Sequence, residues 1–140
     1  MAVTVADSTL PLQQQIIATL RDDPALVALV GRRSYDVIDP DAEKPYVSLG
    51  PIQVIPEHAI EYDGSDVSIQ IDAWSATVET VEIKRIGAAI RAALDGAALT
   101  LDGHRLVDLT AESTGYLIDP DGLTKHAILS FRARTEPTED

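Results

Sequence analysis

The order of local patterns along the chain predicts an α+β domain: a mainly antiparallel sheet of four to five strands with helices packed on one face in two layers. Three observations carry this. From Val67 to Trp74 the residues alternate strictly, placing Val67, Ile69, Ile71 and Ala73 on one face and Ser68, Gln70, Asp72 and Trp74 on the other, as in a half-buried strand. An apolar stripe at helical spacing follows, made of Val78, Val81, Ile86, Ala89, Ile90, Ala93 and Leu94. Asp102-Gly103 then marks a tight hairpin in which both turn residues take positive φ.

The elements follow in order. Residues 1–9 have no periodicity and are expected to fray. Leu12, Ile16 and Leu20 recur at helical spacing behind Pro11, which suits a first helical turn, so helix one covers residues 10–21. Asp23-Pro24 reads as an N-cap followed by proline at the first helical position, and Gly31 stops a second helix of about two turns. Both helices are too short to be stable without packing. Residues 32–44, with Asp36, Asp39, Pro40, Asp41 and Glu43, form a polar connection containing a short strand at residues 34–37.

Residues 46–55 read as a strand in which Pro51, lacking a backbone donor, implies an edge or a bulge; Pro56 should end it. Residues 57–66, containing Asp63-Gly64-Ser65-Asp66, then form a polar loop of about ten residues. Loops this long in a small domain are commonly functional, which makes Glu57, His58, Glu61, Tyr62, Asp63 and Asp66 candidate contact residues. After the Val67 strand, Ser75 or Thr77 caps the long helix, with Glu79 and Glu82 favourable near its positive end and Gly96 closing it. Gly87 inside that helix costs roughly 1 kcal/mol relative to alanine and implies a close approach of helix to sheet. A strand over residues 104–116, a turn at Asp119-Pro120-Asp121-Gly122 and a returning strand over residues 123–134 complete the pattern. The tail, residues 135–140, is expected to be mobile.

A length of 140 residues fits one domain, with a core over about residues 10–135 and flexible termini. Hydrophobic content of 45% and charged content of 24% are those of an ordinary soluble protein. No apolar run approaches the eighteen or so residues of a membrane span, the N-terminus lacks the pattern of a signal peptide, and there is no cysteine for a disulfide. These features point to synthesis in the cytoplasm and to no membrane partner. The net charge of -12 repels nucleic-acid phosphates and anionic lipid, which argues against a DNA-gripping role. Acidity also suits both solubility and a duct through which DNA slides, and composition alone leaves both readings open.

Catalytic chemistry finds no foothold. His58, His104 and His126 are far apart in sequence, with no partner at zinc-ligand spacing. Asp119-Pro120-Asp121-Gly122 opens like a calcium loop, but its glycine comes too early and Ser130 stands where a bidentate glutamate belongs. Nucleophile elbows and phosphate-binding glycine loops are missing from the sequence. Accordingly no catalytic residue, metal ligand or cofactor is assigned. Trp74, on the face opposite the apolar strand residues, either covers the start of the following helix, packs within a second layer or anchors an interface. Arg132 and Arg134, two apart on one strand face, either bind an anion, form a solvated face or meet acidic residues of a neighbouring strand or subunit.

Five segments stand in one order: Leu10-Pro11-Leu12-Gln13, Pro45-Tyr46-Val47-Ser48-Leu49-Gly50, the Val67 strand ending Ala73-Trp74-Ser75, Leu99-Thr100-Leu101-Asp102-Gly103-His104-Arg105-Leu106, and Asp121-Gly122-Leu123-Thr124-Lys125-His126 with Phe131-Arg132-Ala133-Arg134. Over residues 10–135 this resembles the tail-completion, or tail-terminator, proteins of long-tailed phages, prophages and gene-transfer agents. The resemblance implies a ring-forming structural protein, a hexamer, that caps the head-proximal end of the tail tube and joins it to the head. Its implied partners are further copies of itself, the major tail tube protein and the head connector or stopper protein, with DNA only as passing cargo. It would be cytoplasmic during assembly and then part of the particle, acting without turnover. The rival readings are a head-side connector or assembly factor of the same particle, and a small-molecule-binding domain or enzyme.

Overall fold

The computed structural model describes residues 7–59 and 62–138. Its elements are α1 (Thr9–Asp22), α2 (Pro24–Val30), β1 (Ser34–Tyr35), β2 (Tyr46–Ala59), β3 (Tyr62–Ser75), α3 (Val81–Leu94), β4 (Thr100–Leu101), β5 (His104–Ile118) and β6 (Lys125–Pro137). The strands form one six-stranded sheet in the order β1-β2-β3-β6-β5-β4, and only the β1–β2 pairing is parallel. The α+β class is the expected one. The expected four or five strands become six because two-residue strands flank the four long ones.

Alternation decides which face of the sheet is covered. Val67, Ile69, Ile71 and Ala73 of β3 and Ala127, Leu129, Phe131 and Ala133 of β6 are buried. They join Leu12, Ile16 and Leu20 of α1, Leu26 and Val30 of α2, and Ile83, Ile86, Ile90 and Leu94 of α3 in one apolar cluster. Burial of such side chains, at roughly 1.5–3 kcal/mol each, is what holds helices this short in place. Helix α1 packs on both β1 and β4, the two outermost strands, so the sheet curls around it.

Local signals set most boundaries. The Asp23 carboxylate accepts a hydrogen bond from the Leu26 backbone N–H at 3.0 Å, Pro24 opens α2, and Gly31 ends it at φ 62°. Pro51 lies where the β2–β3 register slips between Leu49 and Ile52, the bulge its missing donor implied. Asp119 and Gly122 close their turn with a 2.9 Å backbone bond.

Elsewhere pairing overrides local preference. Pro56 does not end β2: it sits opposite Ser65, and the expected polar loop is instead strand, continuing through Glu57 opposite Gly64, His58 opposite Asp63 and Ala59 opposite Tyr62. The turn-forming run at Asp63-Gly64 yields to an unbroken ladder of rungs. Glu61 lies outside the described residues. Residues 76–80 are not helical; α3 begins after Thr80, which makes no side-chain cap, and Val78 and Val81 are exposed rather than part of the apolar stripe. Ser75 instead donates its hydroxyl to the Glu82 carboxylate at 2.7 Å. Gly103 has φ 73°, but no described non-glycine residue has positive φ, so Asp102 does not and the turn is not the expected type. Both ends of the chain are held further out than expected: Thr135 is buried within β6 and its hydroxyl meets that of Ser8 at 2.8 Å.

Candidate interaction face

Side chains pointing away from the helices form a broad open face on the sheet. At one end of this face Tyr46 of β2, Trp74 of β3 and His126 of β6 stand on one rung. The Trp74 and His126 rings stack with centroids 4.6 Å apart and planes within 14°, and Tyr46 leans on Trp74 at 5.5 Å. Tyr35 of β1 extends the row, 6.4 Å from Tyr46. Trp74 is thus neither a core residue nor cover for a helix: it is a half-buried plate within the open face.

Beside it the buried Asp72 carboxylate lies 2.8 Å from His126 Nε2 and accepts from Gln70 Nε2 at 3.1 Å. Asp72 Oδ2 also fills the space above Gly50, where any Cβ would collide with it. His126 Nδ1 looks toward Asp119 at 3.8 Å. With a carboxylate toward each nitrogen and an indole across its plane, this imidazole is fixed in position rather than offered to a substrate.

Eight residues further along β3, about 26 Å away at strand rise, the face becomes charged. Arg132 Nη2 reaches the Asp66 carboxylate at 2.7 Å, and Arg134 sits on the rungs of Asp66 and Asp108. Thr110 and Glu112 complete the walls of a shallow groove there. Arg132 is thus paired with an acidic residue of the neighbouring strand, and Arg134 stands opposite two. Sequence reasoning put Asp72 and Trp74 on this face and Arg132 and Arg134 together on one strand face, placed Asp66 in a loop, and did not connect Tyr35, Tyr46 or His126 with them. Only the register brings His126 over Trp74, so no signal local to either residue announces it.

The turn that leads into β6 is tightly held. The Asp121 carboxylate accepts from the Thr124 hydroxyl at 2.6 Å and from the Leu123 and Thr124 backbone N–H groups at 2.8 Å, bonds that lower its pKa to about 2. Across the sheet, burial raises the Tyr116 phenol, and the Arg91 guanidinium offsets this in part. Among the described residues no group of three or more His, Cys, Asp or Glu side chains could hold a metal. No described helix is long and apolar enough to cross a membrane.

The domain is thus a helix-backed sheet whose other face carries stacked aromatic rings and paired charges. The chain belongs to the family described as tail completion protein gp17, whose model matches residues 14–136, a family of structural proteins of the virion tail. Among solved structures it is similar to a chain of the virion of the native gene transfer agent particle, at 32% identity and a TM-score of 0.83, covering 89% of this chain and 94% of that one. The gp17 protein of bacteriophage SPP1 shares the fold at a TM-score of 0.62 and 20% identity, covering 99% of this chain and 98% of that one. No curated protein matches the chain.

Proposed function

We propose that the protein is a ring-forming tail-completion protein that caps the head-proximal end of a tail tube, offers a docking surface to the head connector, and lets DNA pass without gripping it. Membership of the tail-completion family over residues 14–136 is the observation that carries this reading. The net charge of -12 supports the last part, because an acidic lining repels phosphates and leaves DNA free to slide. The function is recognition and capping, with no turnover, and the copies assemble as a hexamer.

Two regions are the proposed contact elements. The β2–β3 arm is one: β3 pairs with β6 only as far as Ser65, so beyond that rung the hairpin, with Glu57, His58, Tyr62 and Asp63, is no longer paired to β6. The open face with Trp74, Asp66, Arg132 and Arg134 is the other. Particles assembled without this chain should accumulate as DNA-filled heads and separate tails, and electron microscopy of complete particles should place its density at the head–tail junction. Density at the distal tail tip, or normal joining in its absence, would overturn the reading.

A further inference from the structure

One rung crosses five of the six strands: Ser34, Val47, Ala73, Ala127 and Tyr116 are successive partners from β1 to β5. The two borders of the domain therefore stand at the same height along the strands, and they differ in chemistry. At the β5 border the chain covers its own main-chain edge only in part. The Gly96 N–H reaches the Leu109 carbonyl at 2.8 Å, and the Asp95 carboxylate accepts from the Ala111 N–H at 2.9 Å. From residue 112 to 118 no described strand pairs with the outer edge of β5, since β4 meets β5 only at His104 and Arg105. Tyr116 and Ile118 are exposed along this stretch, and Lys84 and Arg91 of α3 stand exposed beside it, together with the engaged Asp95.

At the β1 border the segment between β1 and β2 presents Asp36, Asp39, Asp41 and Glu43, all exposed, around Val37, which is 80% exposed. Each border is thus an apolar centre with a charged rim: Lys84 and Arg91 beside the one carboxylate of Asp95 on the first, and four carboxylates followed by the exposed Lys44 on the second. Two edges of one sheet that complement each other suit a head-to-tail contact, which closes into a ring when the rotation between copies closes and runs on as a filament when it does not.

Resting on the ring reading above, we infer that neighbouring copies join by the β5–α3 border of one against the 36–43 segment of the next. A two-fold contact would instead set Lys84 and Arg91 against themselves. The match of charges is internal to the chain, which makes a second copy the occupant that fits.

Charge exchange tests this. The variants Lys84→Glu/Arg91→Glu and Asp41→Lys/Glu43→Lys alter only exposed side chains, and Asp39 is left intact because it holds the Asp41 N–H at 2.9 Å. Sedimentation and native mass measurement across a protein concentration series should show that each variant alone needs at least a tenfold higher concentration than wild type to assemble. An equal mixture should recover wild-type assembly as rings containing both chains in equal number. Circular dichroism should show each variant folded. Either variant assembling alone like wild type, or a mixture that fails to recover, overturns the border pairing while leaving the ring intact. A wild-type chain that is monomeric in solution and forms no ring in the particle overturns the ring reading, and the pairing with it.

Discussion

The Tyr116 ring of β5 occupies the space that a side chain at Gly87 of α3 would need: a Cβ there would stand 2.9 Å from Tyr116 Cζ and closer still to the hydroxyl. The hydroxyl reaches the Lys84 carbonyl at 3.5 Å, a long bond, so the fit is mainly one of shape. Gly87→Ala should therefore change stability little, the cost of moving the exposed ring aside offsetting a helix-propensity gain of about 1 kcal/mol. In a Tyr116→Ala background the same substitution should stabilise by about 1 kcal/mol. A double-mutant cycle in urea measures the coupling, and additive effects would show that the two residues do not compete for space.

Asp72 is the polar keystone of the open face. Replacing it by alanine removes the acceptor shared by Gln70 and His126. The loss should cost about 1–3 kcal/mol, the range for leaving partly buried polar groups unpaired, and Asp72→Asn should recover part of it. Trp74 fluorescence should change as well, because the ring stacked on it loses its anchor. Unchanged emission and an unchanged denaturation midpoint would show that the aromatic plate stands without the carboxylate.

Gly103 has φ 73° and nothing within 4 Å of the position a Cβ would take. Its requirement is purely one of backbone conformation. Gly103→Val should cost roughly 1–3 kcal/mol, and Gly103→Asn distinctly less, because asparagine tolerates positive φ. Equal midpoints for the two variants would contradict this.

Asp121 gives the fold an acid dependence whose sign follows from its lowered pKa. A carboxyl held at about 2, against an ordinary 3.8, contributes stability that is complete above the ordinary value and fades as pH falls toward 2. The stability difference between wild type and Asp121→Asn should therefore be constant near neutrality and shrink between about pH 4 and pH 2. A carboxyl resonance titrating near 3.8 would show that the Thr124 bonds do not persist in solution.

By itself, the sequence determined the features whose cause lies within a few residues. The stripe of Leu12, Ile16 and Leu20, the Asp23-Pro24 start of α2 and the alternation through Val67 and Ala73 each encode their own element, because helix period, cap chemistry and strand period are local. The same alternation correctly put Trp74 on the face away from the core. Gly87 correctly signalled a close approach, though not the tyrosine that makes it. Tertiary structure alone decided the rest: that β2 and β3 pair on past Pro56 and Asp63, that Thr135 is tied to Ser8, that Val78 stays outside, and that His126 lies flat on Trp74 against Asp72. Each depends on register between segments far apart in the chain. Register is fixed by burying one face of the whole sheet at once, a condition that no short stretch of sequence contains.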